Sequence, residues 1–331
     1  MSARRAYIGR VRYAVQGVFL LLTALIGYRF YQFVLHFREP SFPFVQRPPS
    51  VDAFLPIAGF MSFKYVLFNR MIEPMHPAAC IMFTAIVGSA FLMRKGFCGW
   101  VCPVGAISQY LWMAGEKLFG KNFKMEKSVD IALRSLKYVL MALFLFLIGI
   151  AMTPSMMALF FIADYYKMVD VRMLQFFADM SMVTMGVLIT LAVLSLLYKN
   201  FWCRYLCPYG ALLGLLSSGG PMKIVRTSEK CINCGTCSRE CPSFLDVEKQ
   251  EAVHSPECIG CMTCVSSCPA GGALDMSFKL GAKRRILKPV LYPVLLVAFL
   301  YLVIVIGMAT GHWHSQIPYE EYQRIIPELY R

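Results

Sequence analysis

The sequence predicts an all-α integral membrane protein of about five transmembrane helices, with a small α+β domain inserted before the last of them. Three observations lead there. The 331-residue chain is 58% hydrophobic and only 16% charged, with a mean hydropathy of +0.56, which is too apolar for a water-soluble domain. Five stretches, roughly 12–35, 75–94, 134–152, 180–198 and 287–309, are long and apolar enough to cross a bilayer. The segment between the fourth and fifth is polar and holds ten of the 13 cysteines, eight of them within 222–280. The expected organisation is a membrane domain over 1–221, the insert over 222–280, and a last span with a short tail over 281–331.

The N-terminus MSARRAYIGRVRY runs into the first apolar stretch with no small-residue cleavage site, so it is expected to be a retained span. Lysine and arginine are distributed unevenly. Segments 1–12, 94–137 and 199–288 carry 24 of them, and segments 38–74, 153–179 and 310–331 carry 8. The positive-inside rule then puts the N-terminus and the insert in the cytoplasm and the C-terminus outside. The expected location is the bacterial inner membrane. The net charge of +14 follows the sides of the membrane, so no nucleic-acid partner is needed to explain it.

Between the spans, FMSFKYVLFNR is too short and too charged to cross and reads as an interfacial or re-entrant helix. ADYYKMVDVRMLQFFADM reads as a second surface-lying helix. SSGGP at 217–221 is a hinge before the insert.

The insert reads CINCGTCSRECP, a gap, then CIGCMTCVSSCP. Each half is C-x2-C-x2-C-x3-C-P, the run that bacterial two-cluster ferredoxins use. Three thiolates at this spacing wrap one corner of a cubane, and the fourth cannot bend back to the same corner. Cys231, Cys234, Cys237 and Cys268 are therefore expected to hold one 4Fe–4S cluster. Cys258, Cys261, Cys264 and Cys241 are expected to hold a second. Disulfides would need an oxidising compartment, and zinc prefers two separated C-x2-C pairs.

A second cysteine pattern lies outside the insert. Residues 97–106 read FCGWVCPVGA and residues 202–211 read WCRYLCPYGA. Each copy follows an inward-running span and precedes an apolar stretch, so the unit is duplicated. Copies running in one direction are related by an axis along the membrane normal, which would bring Cys98, Cys102, Cys203 and Cys207 together. Pro103 and Pro208 suit a first helical position, which places the second cysteine of each copy at a helix N-terminus that favours thiolate. A third iron–sulfur cluster is the preferred reading. A redox disulfide, a mononuclear metal site and free buried thiols remain the alternatives. Cys80, inside the second span, reads as a small buried hydrophobe.

These paired motifs, the insert and the last span resemble the membrane polyferredoxins of the NapH/NosR/CcoG type. RPPSVDAFLPI and RKGFCGWVCPVGA are most similar to NapH-like 4Fe–4S proteins. NosR-type proteins carry a large extracytoplasmic flavin domain and CcoG-type proteins a C-terminal immunoglobulin-like domain, and neither has room here. The resemblance implies an electron-transfer subunit of a quinol-oxidising complex, with a cytochrome or iron–sulfur protein as partner and membrane lipid and quinone around it.

A quinone site should be apolar with a few hydrogen-bonding groups near a cluster. Trp100, Gln109, Tyr110 and Trp112 flank the first C-x3-C-P motif, and Tyr205 and Tyr209 flank the second. Taken singly, each reads first as a residue of the interface belt. None of His36, His76, His254, His312 and His314 lies at mid-span, so a haem is not expected. The tail SQIPYEEYQRIIPELYR is amphipathic and is expected to dock on a partner.

The leading function is electron relay between the quinone pool and partner redox proteins. Two other classes stand beside it. One is a cupric reductase or assembly factor of the CcoG kind, for which His312, His314 and the methionines Met152, Met156 and Met157 would serve. The other is a regulatory or structural iron–sulfur protein. No nucleophile–base constellation is visible, so no catalytic residue is assigned.

Overall fold

The computed structural model describes residues 3–39, 41–280 and 283–330. Contacts divide the chain into two compact units. One takes Met1–Leu20, Ile86–Met141 and Thr190–Phe299, and the other takes Leu21–Ala85, Ala142–Ile189 and Leu300–Arg331.

All five apolar stretches are helical, but they are unequal. Tyr7–Arg38, Lys127–Ala151 and Leu291–Ala309 are long and apolar enough to cross a membrane. Val169–Ala178 and Met182–Leu197 make a fourth span if that pair, bent by 78°, is counted as one. The helix Pro77–Leu92 has 16 residues and rises about 24 Å, short of a hydrocarbon core of about 30 Å. Its ends set its length. Pro77 takes the first turn, where a missing N–H costs nothing, and Arg94 just beyond its end is left-handed with φ 59°. Among the described residues, length and composition give three spans, or four with the bent pair, where five were expected.

The first unit contains the insert. Strands β1 (Met222–Arg226), β2 (Leu274–Leu280) and β3 (Lys283–Leu287) form an antiparallel sheet in that order. Ile224 lies opposite Met276, and both are buried. β1 and β2 bracket the eight cysteines and clamp the ends of the loops that carry them. β3 lies beyond the expected boundary at 280.

The second unit has two apolar clusters. In one, Phe30, Phe33, Val34 and Phe37 meet Tyr322, Ile325 and Ile326. The latter three share one face of the helix Tyr319–Leu329 at the helical repeat. The tail that was expected to dock on a partner therefore spends its apolar face on its own chain. In the other cluster, Leu55, Ala58 and Met61 of the helix Pro56–Asn69 pack with Ile148, Met157 and Phe161. Lys64 on that helix is buried. Its ammonium donates to the carbonyl of Ile148 at 2.9 Å and to that of Met152. The segment Leu145–Ala151 is π-helical, a winding with poorer internal bonding, and Lys64 satisfies two carbonyls at its end.

Candidate metal centres

The two C-x2-C-x2-C loops of the insert have the same backbone. In the first, Asn233 and Gly235 have φ 52° and 68°, and in the second, Gly260 and Met262 have φ 60° and 58°. These are equivalent positions, two and four residues after the first cysteine. Left-handed residues at these two positions bend each loop sharply around its cysteines. Met262 holds this conformation without glycine's freedom, which normally costs free energy. Each loop then ends in one short helical turn, Thr236–Arg239 or Thr263–Ser267.

Each loop closes on a cavity. Cys231, Cys234, Cys237 and Cys268 line one, with about 340 Å³ not filled by atoms and part of that open to solvent. Cys241, Cys258, Cys261 and Cys264 line the other, of about 360 Å³ on the same measure. The fourth cysteine of each motif thus lines the cavity of the other motif. Among the described residues no cysteine is in a disulfide. The donor set, four sulfurs around one space, fits a 4Fe–4S cluster.

The two cavities differ electrostatically. At the first, the Asn233 N–H and Arg226 lower Cys231, and the Thr236 hydroxyl and N–H lower Cys234. At the second, burial and then the neighbouring thiols push Cys241 up to about 12 and Cys264 well above the usual range. Thiols raised in this way stay protonated until a metal binds and their protons are released to solvent.

The duplicated motifs come together as the sequence implies. Cys102 and Cys207 are the N-caps of the helices Pro103–Phe119 and Pro208–Gly219, each with its proline in the first turn. The Gly210 N–H donates to Cys207 Sγ at 3.2 Å. Cys203 lies within electrostatic reach of Cys207, Cys102 and Cys98. The local effect of the helix end is as expected, since the Gly105 and Val104 N–H groups lower Cys102. Burial is larger and raises it to about 11, and burial raises Cys98 to about 12. Without a cation these are protonated thiols.

The membrane-edge motifs and the second cavity share a wall. The Trp100 indole N–H donates to the Gly260 carbonyl at 3.0 Å. A Cβ on Gly99 would stand 2.6 Å from the Ile259 carbonyl oxygen, and one on Gly214 would stand 2.5 Å from that of Pro256. From the other copy, Arg204 holds Asp130 with two bonds of 2.9 Å and donates to the Ser243 carbonyl at 2.9 Å. Gly260 and Ser243 both line the second cavity.

Several residues of this region escaped sequence reasoning. Lys95 is buried and lowers the pKa of Cys98 and Cys203. Its ammonium would lie 3.6 Å from a Cβ placed on Gly210. Lys137, fully buried, pairs with Glu257 at 2.6 Å, and Tyr138 donates to the same carboxylate at 2.9 Å. Arg12 donates to the Gly99 carbonyl, to Thr263 and to Gln109. The available signal was adjacency, since Lys95 stands three residues before Cys98 and Glu257 directly precedes Cys258.

The six residues expected near a quinone are mostly engaged. Trp100 holds Gly260, Gln109 holds Arg12 and Gln16, and the Tyr205 hydroxyl donates to Asp130 at 2.7 Å. Tyr209 lies beside Cys98, Cys102 and Cys207. Trp112 lies under the Lys199 ammonium, 4.6 Å from its ring centre, and Tyr110 is exposed.

In the second unit, Asp52, His76 and Asp170 place ligand atoms within 4.8 Å of one another, all buried. The Arg47 guanidinium already holds both carboxylates, Asp170 at 2.8 Å, so the group is an ion network closed by its own cation. His76 also meets the Tyr166 carbonyl at 3.0 Å, and His36 meets the Phe42 carbonyl and the Tyr319 hydroxyl. Both histidines thus have partners within the chain. Met157 is fully buried and Met156 exposed.

Comparison with known proteins agrees with this layout. Residues 223–269 match the family described as 4Fe–4S dicluster domain, and residues 75–125 and 180–226 each match the 4Fe–4S binding domain. The chain is 38% identical over 321 residues to YccM of Escherichia coli K12, described as a candidate electron transport protein, covering 96% of this chain and 90% of that one. It is 28% identical over 174 residues to the ferredoxin-type protein NapH of the same organism, covering 50% of this chain and 55% of that one. It is 28% identical over 186 residues to the regulatory protein NosR of Pseudomonas aeruginosa, covering 56% of this chain and 24% of that one. No solved structure matches.

Proposed function

Because this chain belongs to the NapH/NosR-type family of ferredoxin-type membrane proteins with 4Fe–4S dicluster domains, we propose that it is an electron-transfer subunit of the bacterial inner membrane, relaying electrons between the quinone pool and partner redox proteins of a respiratory complex. In this reading Cys231, Cys234, Cys237 and Cys268 hold one 4Fe–4S cluster, and Cys258, Cys261, Cys264 and Cys241 hold another. Cys98, Cys102, Cys203 and Cys207 hold a third. A bound cubane supplies one-electron chemistry.

The chain's own residues supply ligation, spacing and surroundings. The left-handed positions Asn233, Gly235, Gly260 and Met262 line the two cavities. Lys95 sets a buried positive charge against the membrane-edge thiolates. Trp100 and Arg204 hold the second cavity against the C-x3-C-P motifs. That shared wall is the observation on which the relay reading rests, because electrons pass between sites that protein holds close and fixed. The basic segments favour a cytoplasmic insert and an extracytoplasmic C-terminus. A cytochrome or iron–sulfur protein is the partner that fits.

Iron and acid-labile sulfide are to be counted on the purified chain, with EPR before and after adding menaquinol. About 12 irons per chain support three clusters and about 8 remove the third, at four per cubane. Clusters that menaquinol leaves oxidised would sink the quinone link.

A further inference from the structure

The two cysteine loops of the insert carry a threonine at the same place, two residues after the second cysteine. Thr236 follows Cys234 and Thr263 follows Cys261. The Thr263 hydroxyl donates to Cys261 Sγ at 3.3 Å, and the Thr236 side chain is likewise bonded to Cys234. Each threonine also accepts from an arginine. Arg239 Nη2 reaches Thr236 Oγ1 at 3.0 Å, and Arg12 Nη1 reaches Thr263 Oγ1 at 3.1 Å. Chemistry fixes the directions. A guanidinium only donates and a hydroxyl has one proton, so a threonine that accepts from arginine keeps its proton for the sulfur.

The two arginines differ in origin and surroundings. Arg239 belongs to the same loop as Thr236, and its bonds are exposed. Arg12 comes from the helix Ala3–Arg38, 251 positions from Thr263, and is buried. Besides Thr263 it donates from Nε to the Gly99 carbonyl at 2.9 Å and from Nη2 to Gln109. Gln16, one turn further along the helix, donates to the same two acceptors at 3.1 Å each. These partners are all neutral, and among the described residues no carboxylate pairs with Arg12. A buried cation is costly without an anion. The negative group within its reach, through Thr263, is Cys261 once that thiol binds iron. Water screens the charge of Arg239 far more than that of Arg12.

We propose that Arg12 is a positioning residue for electron transfer at the second cavity. Through the Thr263 hydroxyl it holds a hydrogen bond on Cys261 Sγ, and with its own charge it favours the reduced state of that site. Reduction adds one electron where the thiolates are already negative. A hydrogen bond to sulfur and a buried cation both offset that repulsion and raise the potential. The first membrane helix thereby sets the potential of a site in the insert. The proposal deepens the electron-transfer reading and rests on its 4Fe–4S part.

The test is an EPR-monitored redox titration of the full chain in lipid nanodiscs, with dithionite as reductant and iron content as the folding control. The second site's signal is the one that Cys258→Ser alters. Thr263→Val keeps the side chain's shape and removes its hydroxyl. The reduced-to-oxidised ratio at that site should then fall about tenfold at a fixed potential, the worth of one hydrogen bond to a charged group, or about 59 mV for one electron. Thr263→Ser should restore it. Arg12→Met should lower it at least as far as Thr263→Val does. Arg239→Met should move the first site's signal by less. Four results overturn the proposal: a second signal unmoved in Thr263→Val with iron intact, Thr263→Ser matching Thr263→Val, equal shifts of both signals in Arg12→Met, or an Arg239→Met shift as large as that of Arg12→Met. Dithionite supplies the electron, so the result does not depend on the quinone link. A wild-type chain with no cubane signal removes the electron-transfer reading and this proposal with it, whereas wild-type signals that the variants leave unmoved remove the proposal alone.

Discussion

The indole N–H of Trp100, two residues into the first C-x3-C-P motif, donates to the backbone carbonyl of Gly260, two residues into the second C-x2-C-x2-C motif, at 3.0 Å. One hydrogen bond thus ties two cysteine clusters separated by 160 positions in sequence. Trp100 is fully buried against Tyr292, whose hydroxyl donates to the Met93 carbonyl at 2.7 Å.

Trp100→Phe should keep most of the ring packing and lose the bond. Leaving the Gly260 carbonyl unpaired is expected to cost about 1–3 kcal/mol. Thermal unfolding in detergent measures the loss. Trp100→Leu should cost more, because it also empties ring volume.

Lys137 and Glu257 form a buried pair at 2.6 Å. Lys137→Met alone leaves a buried carboxylate bonded to Tyr138 and near Lys95 but without its own cation, and is expected to cost about 3–5 kcal/mol. Lys137→Met combined with Glu257→Leu should recover most of that, since a fully apolar replacement leaves no charge stranded. A double variant no more stable than Lys137→Met would contradict this account.

The fourth cysteines can be told apart by EPR. Cys268→Ser should change the same signal as Cys231→Ser, because both line one cavity. Cys241→Ser should change the signal altered by Cys258→Ser. The opposite pairing would mean that each motif closes on its own cysteine.

Acid should loosen the second unit at a predictable point. Burial opposes the charge on Asp52, but Arg47 and His76 outweigh it and hold the carboxyl below its usual range. A carboxyl depressed on folding contributes stability that is complete above the unfolded value, about 3.9, and is lost as pH falls through the lower folded value. The melting temperature should therefore hold down to about pH 4 on account of this group and fall below it. In Arg47→Met burial meets less opposition and the folded value rises toward or above the unfolded one, so this group's acid loss should shrink or reverse. Melts across pH on both proteins check the direction.

The cysteine chemistry was legible because it is written in local spacing. C-x2-C-x2-C sets three sulfurs on one turn, and the repeated C-x3-C-P announces itself by duplication. The Arg47–Asp52–His76–Asp170 network was not legible, because its members come from three segments with no shared pattern. Lys64 read as a charge too near the bilayer, and only the π-helical carbonyls it meets explain it. The tail helix showed its amphipathic face plainly, but a sequence does not say what covers such a face. Span lengths failed at Pro77 and Arg94, where backbone conformation and not hydropathy ends the helix.

The interleaving of the two cavities also bears on how the protein is made. Cys241 emerges from the ribosome well before its partners Cys258, Cys261 and Cys264, and Cys231, Cys234 and Cys237 emerge long before Cys268. Neither half of the insert can finish a four-sulfur cavity alone. The second cavity gains its last cysteine at position 264 and the first only at 268, so both become complete within five residues of synthesis. Maturation of the insert is then a single late event, and an insert truncated anywhere between the two motifs would have no complete site of its own to load.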